Sequence, residues 1–230
     1  MKTVFITGAN RGLGLEFSRQ YLAAGNRVIA TARNPEDSEG LQALKKEYGE
    51  HLSLYPLDVT DANSRAAVSD AVGDRVIHLL INNAGYYGAN NSLGKLDEAD
   101  WSKVFHVNCI GPVKMVALLR SNLGNAGSAT VAMLSSKMGS MGDNTSGGSY
   151  VYRSSKAALN AATKSLAIDL AEEQIKVVAL HPGWVLTDMG GPNALIDVAI
   201  SVNGMRKVIE GLQTKQSGDF IAYDGTLVPW

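Results

Sequence analysis

The stretch Lys2–Gly14, KTVFITGANRGLG, decides the fold. Residues 2–7 form a short apolar, β-prone run. Gly8, Gly12 and Gly14 follow at once, and a helical pattern begins over 12–24. A glycine permits the tight turn out of a strand, and missing side chains let backbone approach a pyrophosphate. The next helix then offers free N–H groups and a partial positive charge. The spacing is G-x-x-x-G-x-G rather than the commoner G-x-G-x-x-G. Glycine suits any turn, so its place between a first strand and a first helix carries the inference.

The rest of the chain repeats the alternation. Apolar runs at 27–31, 52–57, 75–81, 129–134, 176–180 and 219–223 read as strands. Helical patterns lie near 12–24, 38–48, 61–72, 97–122, 150–173 and 194–212. Most strand candidates are continuously apolar, as strands buried on both faces are. The pattern predicts an α/β fold: one domain over 1–230, a doubly wound Rossmann-type parallel sheet of about seven strands with helices on both faces. Two glycine-rich loops, 139–149 and 182–193, follow strand ends, where open α/β sheets bind ligands.

Composition excludes several classes. Of 230 residues, 45% are hydrophobic and 19% charged, with a formal charge of −1. No basic cluster suggests nucleic acid. The single cysteine, Cys109, allows neither an intrachain disulfide nor a cysteine metal cluster. His51, His78, His106 and His181 show no metal spacing, so no metal site is expected. No run approaches the roughly 18 apolar residues of a membrane span, and the apolar start is too short for a signal peptide. These features predict a cytoplasmic protein.

In dinucleotide-binding folds a carboxylate roughly 20 residues past the glycine loop meets the ribose 2′-hydroxyl. Here the second strand ends VIATARN, with Ala32 at that position and Arg33 next. Arg33 can pair with a 2′-phosphate, and Arg11 can reach the same group. NADP(H) is therefore expected over NAD(H).

Further on stands YVYRSSKAALNAA, residues 150–162. Tyr152 and Lys156 are four apart and share one helix face. That spacing is common by chance and ordinarily means two solvated side chains. Tyr150 lies on a different side, with Ser154 as its i+4 partner.

Taken together, TGANRGLG, NNAG, SSKMG, YRSSK and HPGWVLT, in that order over positions 7–187, resemble the short-chain dehydrogenase/reductase family. DNTSGGSYVYRSSKAALN and PGWVLTDMGGPNA are similar to its C-factor and Sniffer-like carbonyl reductase branch. The resemblance implies a catalytic set of Asn108, Ser136, Tyr152 and Lys156. Tyr152 is the acid/base, Lys156 lowers its pKa and bonds the nicotinamide ribose, Ser136 holds the carbonyl and Asn108 holds a water near the lysine. The serine–tyrosine interval is longer than in the commonest members, which leaves Ser135 and Ser140 as alternatives.

The same resemblance implies cofactor contacts from Gly8, Asn10, Arg11, Gly12, Leu13, Gly14, Arg33, Asp58, Val59, Asn83, Ala84, Gly85, Tyr152, Lys156, Pro182, Gly183, Val185 and Thr187. Asp58 would meet the adenine amino group; its other reading is a helix cap. Trp184 is a candidate pocket residue. The implied activity is NADP-dependent interconversion of a small, fairly apolar carbonyl compound and its alcohol. A dinucleotide-binding sensor of C-factor type is the alternative, and a Rossmann-like methyltransferase fits the glycine loop but not the Tyr–Lys pair. Wide apolar faces on 97–122 and 150–173, with the resemblance, imply a homodimer or homotetramer.

Overall fold

The computed structural model describes residues 1–89 and 92–230. Seven strands form one parallel sheet in the order β3-β2-β1-β4-β5-β6-β7. They are β1 (Thr3–Thr7), β2 (Arg27–Ala32), β3 (Leu52–Pro56), β4 (Leu79–Asn82), β5 (Ala129–Leu134), β6 (Ile175–His181) and β7 (Phe220–Ala222). The helices among the described residues are α1 (Gly12–Ala23), α2 (Glu39–Tyr48), α3 (Ala62–Val72), α4 (Glu98–Phe105), α5 (Gly111–Leu118), α6 (Arg120–Gly124), α7 (Tyr150–Asp169) and α8 (Val198–Gly211). None is long and apolar enough to cross a membrane.

The strand period sets the layers. Val4 and Ile6 join Phe17, Leu41 and Met205 in a cluster under α1, α2 and α8. Phe5 points the other way and joins Val68, Met115 and Leu159 under α3, α5 and α7. Both sheet faces are thus buried, which explains the continuous apolar runs. Strand order reverses beside β1, which pairs with β2 on one side and β4 on the other. The crevice beyond their carboxyl ends is the switch point where such sheets take ligands.

Three expected elements differ. The strand predicted over 75–81 is only Leu79–Asn82. Ile77 instead donates its N–H to the Asn122 carbonyl at 3.0 Å, so the residues before β4 pack on α6. The helix predicted over 97–122 is broken. A π-turn spans His106–Ile110, closed by the Gly111 N–H on the His106 carbonyl. Pro112 has no N–H to donate back to Asn108, so the regular ladder fails there. The helix predicted from 194 starts at Val198. Asp197 accepts from the Ala199 N–H at 2.6 Å, while Ile196 bridges back to Val185.

Candidate active site

The glycine turn and the end of β4 are braced together. Thr7 Oγ1 accepts from the Asn83 and Ala84 N–H groups, both at 3.0 Å. The Asn83 side-chain amide donates to the Thr7 and Gly8 carbonyls at 2.9 Å each. Gly8 is left-handed (φ 66°), and a Cβ there would lie 2.9 Å from Ala84 Cα. At Gly14 a Cβ would lie 2.3 Å from the Gly8 carbonyl oxygen. The turn is therefore as tight as the sequence implied.

Helix α1 opens at Gly12 with no side-chain cap. Its first-turn N–H groups face the switch point, the donor set that a pyrophosphate needs. Asn10 and Arg11 are exposed beside it, and Leu13 packs partly into the core. Ser38 ties this loop to α2 by donating its hydroxyl to the Asn10 carbonyl at 2.9 Å.

On the adenine side, Ala32 is buried at the end of β2 and Arg33 is exposed. Asp58 does not cap α3; Asp61 does, accepting from the Ser64 N–H at 2.6 Å. Burial pushes the Asp58 carboxyl up. The hydrogen bonds from the Thr60 hydroxyl and N–H, with the charges of Arg33 and Arg65, outweigh it and hold it below its usual range. Arg33 is thus close enough to act on the Asp58 side of the crevice. Val59 is buried beneath it. This donor set fits a dinucleotide carrying a 2′-phosphate.

Tyr152 sits in the first turn of α7, 7% exposed. Burial raises its phenol above the ordinary range, against the lowering effect of a hydrogen bond from Ser136. Lys156 is 4% exposed. Its Nζ lies 5.7 Å from the centroid of the Tyr152 ring and donates to the Leu134 carbonyl at 2.8 Å. Burial pulls this ammonium down to about 8, with Cys109 opposing. A lowered phenol was expected. Burial outweighs that here, because Lys156 lies over the ring face and bonds a backbone carbonyl.

The three candidate serines are held differently. Ser135 Oγ donates to Asn160 Oδ1 at 2.6 Å, and Ser140 Oγ accepts from the Asp143 N–H at 3.0 Å. Both are buried. Ser136 starts the 3₁₀ turn Lys137–Gly139, where its Oγ accepts from the Met138 N–H at 3.2 Å, and it is near enough to the Tyr152 phenol to oppose its rise. Tyr150 is 40% exposed and turned away.

Asn108 lies in the π-turn with its side chain fully engaged. Its Oδ1 accepts from the Tyr86 N–H at 2.8 Å, and its Nδ2 donates to the Tyr86 carbonyl and to Ser155 Oγ, at 2.8 and 3.0 Å. Asn108 thereby locks the chain after Gly85 onto α7. Thr187 stands over the glycine turn, with its Cγ2 3.6 Å from where a Gly12 Cβ would be. Val185 is buried, Gly183 is left-handed (φ 83°), and the Pro182 carbonyl accepts from Ser201 Oγ at 2.6 Å. Trp184 is exposed, with its Nε1–H on the Gly190 carbonyl at 2.7 Å.

Three neighbours were not anticipated. Tyr87 stacks its ring near that of Tyr152, Met189 touches the phenol, and His181 Nδ1 accepts from the Lys137 N–H at 3.2 Å. Burial pulls His181 down to about 4, so it stays a neutral acceptor behind the Ser136 turn. The tyrosine pair after NNAG was a visible signal for Tyr87. Nothing in the sequence aimed Met189 at Tyr152.

Comparison with known proteins gives a consistent set. The short chain dehydrogenase family model matches residues 2–195. The C-signal protein of Myxococcus xanthus is 47% identical over 154 residues, 67% of this chain and 93% of that protein. The carbonyl reductase Sniffer of D. melanogaster superposes with a TM-score of 0.93 at 33% identity, covering all of both chains. An NADPH-bound carbonyl reductase from chicken fatty liver gives 0.92 at 37% identity, covering 100% of this chain and 99% of that one.

Proposed function

The chain belongs to the short-chain dehydrogenase family of NAD(P)-dependent oxidoreductases, and from that premise we propose that it reduces an aldehyde or ketone to an alcohol with NADPH, or runs the reverse. One observation carries the reading: the buried Tyr152 phenol has the Ser136 hydroxyl near enough to oppose the rise that burial causes, and the Lys156 ammonium lies over its ring. A carbonyl oxygen that takes a hydrogen bond from each hydroxyl is polarised for hydride transfer.

When bound, the reduced nicotinamide supplies the hydride. This chain's residues orient and protonate. Gly8, Asn10, Arg11, Gly12, Leu13 and Gly14 hold the pyrophosphate, Arg33 the 2′-phosphate, and Asp58 and Val59 the adenine. Asn83, Ala84 and Gly85 line the ribose side, and Pro182, Gly183, Val185 and Thr187 the nicotinamide amide. Ser136 donates to the substrate oxygen and Tyr152 gives it a proton; in oxidation Tyr152 takes the proton back. A free phenol, with a pKa of about 10, is a weak donor near neutrality, and the raised value here makes help from Lys156 more necessary. Asn108 is a positioning residue. The Met189 side chain and the Tyr87 ring beside Tyr152 favour a fairly apolar substrate.

The protein placed with NADPH and a panel of aldehydes, ketones and quinones should oxidise NADPH. Tyr152→Phe should lose about 10²–10⁴-fold in rate with NADPH affinity retained, while Tyr150→Phe stays active. The reverse pattern overturns the assignment. The C-signal match supports a second reading, a dinucleotide-binding sensor in which NADPH binds without turnover on any carbonyl. A cytoplasmic location belongs to the same proposal. So does a homodimer, because Ile110, Leu118 and Ile168 are exposed on the helical segments expected to pair. Light scattering that finds monomer alone at micromolar concentration removes the dimer.

A further inference from the structure

Tyr152 is flanked by two side chains that come from different loops and are held differently. Tyr87 packs its ring on the Tyr152 ring, with centroids 4.7 Å apart and planes tilted by 37°. Its hydroxyl lies 3.0 Å from Ser149 Oγ. Ser149 immediately precedes α7 and is left-handed (φ 50°), after Gly147 and Gly148, both at φ 64°. A non-glycine residue keeps that conformation only where its surroundings impose it. Tyr87 is therefore a fixed wall, tied to the start of the helix that carries Tyr152.

Met189 is the opposite case. Its sulfur accepts from the Tyr152 hydroxyl at 3.9 Å, a long contact to a weak acceptor. The side chain is 49% exposed and has three rotatable bonds. The hydrogen bonds that shape its loop belong to its neighbours: Trp184 Nε1–H to the Gly190 carbonyl at 2.7 Å, and the Gly190 N–H to Thr187 Oγ1 at 3.1 Å. Met189 can swing without undoing them. A substrate carbonyl is a stronger acceptor than a thioether. To accept the proton that the phenol now directs at the sulfur, it takes the place of Met189.

We propose that Met189 is a displaceable gate at the Tyr152 hydroxyl and that, with Tyr87 as the unyielding opposite wall, it sets how bulky a group the substrate carbonyl can carry. This rests on the carbonyl reductase reading and adds a selection rule: unhindered aldehydes are accepted, and ketones with a branched second substituent are discriminated against.

The test is kcat/KM with NADPH for benzaldehyde and for isobutyrophenone, which differ in the second substituent. Wild type, Met189→Ala, Met189→Leu, Tyr87→Phe and Tyr87→Leu are compared, with Tm and the NADPH Kd measured on each. Met189→Ala should raise the ketone-to-aldehyde ratio about tenfold, the scale that a pocket difference of this size supports. Met189→Leu, nearly equal in volume, should restore the wild-type ratio. Tyr87→Leu should lower kcat on the aldehyde without weakening NADPH, and Tyr87→Phe, which keeps the ring but loses the bond to Ser149, should fall between it and wild type. An unchanged ratio in Met189→Ala, with aldehyde turnover and NADPH binding intact, overturns the gate alone. Tyr87→Leu with kcat on the aldehyde and the ketone-to-aldehyde ratio both unchanged overturns the wall. A wild type that binds NADPH yet reduces neither compound overturns the carbonyl reductase reading and the gate with it.

Discussion

The glycine turn after β1 and the loop 182–193 face each other across one crevice, yet they are built on different terms. The glycine turn is cross-braced by short bonds to fixed partners: Asn83 to the Thr7 and Gly8 carbonyls at 2.9 Å, and the Ala9 N–H to the Thr31 carbonyl at 2.8 Å. The loop 182–193 is anchored at its start, where the Pro182 carbonyl accepts from Ser201 and Val185 bridges to Ile196, while residues 187–191 are bonded mainly within the loop, through Trp184, Thr187 and Gly190. Across the crevice it offers an exposed ion pair from Asp188 to Arg11 and the loose Met189–Tyr152 contact. The tip of a surface loop, bonded mainly within itself, can shift, whereas a turn wired into two central strands cannot. The fold thus fixes one half of the crevice and leaves the other adjustable.

Two glycine-to-alanine changes put that contrast under the greatest strain. At Gly14 a Cβ would stand 2.3 Å from the Gly8 carbonyl oxygen, 2.6 Å from Asn83 Nδ2 and 2.9 Å from Ala9 Cα. The Gly8 and Ala9 backbone cannot yield without moving the turn out of β1, and the Asn83 amide can yield only by giving up its bonds to the Thr7 and Gly8 carbonyls. Gly14→Ala should cost about 1–3 kcal/mol or more, a fall in Tm of several degrees at roughly 2–4 °C per kcal/mol for this length, and should weaken NADPH binding. At Gly190 the clash is closer still, 1.9 Å from the Val185 carbonyl oxygen. Because the loop can relax, Gly190→Ala should lower Tm less and act mainly on KM for the carbonyl substrate. Thermal melts and NADPH titrations on both variants decide the matter. Equal losses of Tm would show the loop to be as rigid as the turn.

The same division governs what the sequence revealed. Buried parallel strands write themselves as apolar runs, and a tight turn demands its glycines, so the sheet and the glycine turn were legible. Ser136 was legible as part of a motif, and its influence on the Tyr152 phenol, beside the inward bonds of Ser135 and Ser140, favours it for the role. The π-turn at His106–Ile110 was not, because VFHVNCIGPVKMVALL is periodic enough for one helix and only Pro112 hints at the break. The position of Lys156 was half legible. Its helix face was clear, but its bond to the Leu134 carbonyl depends on where β5 ends. Met189 was invisible because loop conformation, not local pattern, aims it at Tyr152.

Cofactor choice sharpens the comparison on its fixed side. Arg33 follows buried Ala32 at the end of β2, and its charge reaches Asp58. A charge-assisted contact to a 2′-phosphate is worth about 1.5–3 kcal/mol, and an exposed arginine falls at the low end. NADPH should therefore be preferred over NADH about tenfold in kcat/KM. Arg33→Ala should weaken NADPH and spare NADH, and Ala32→Asp should reverse the order by placing a carboxylate beside the phosphate. Arg33→Ala losing both cofactors alike would make Arg33 a structural residue.

The smallest effect belongs to the ion pair that spans the crevice. Arg11 Nη1 and Asp188 Oδ2 are 2.7 Å apart, with side chains 72% and 76% exposed. Exposed pairs of this kind contribute about 0–1 kcal/mol, so Asp188→Asn should leave Tm almost unchanged. The pair matters through competition. Arg11 lies in the glycine turn, where an incoming phosphate would compete with Asp188 for its guanidinium. Removing the carboxylate frees Arg11 and removes a negative charge from the path of an anionic ligand. NADPH should then bind about two- to fivefold tighter at low salt, the range that up to about 1 kcal/mol allows. The gain should shrink in 0.5 M NaCl, where exposed charges are screened over a few ångströms. Arg11→Ala should weaken NADPH, and adding Asp188→Asn to it should bring little recovery, since the freed partner is no longer there. Fluorescence titrations with NADPH at low and high salt on the three variants test this. An Asp188→Asn variant with unchanged affinity at low salt would mean that the loop and the cofactor side do not communicate through this pair, leaving Met189 as the contact between the adjustable half and the chemistry.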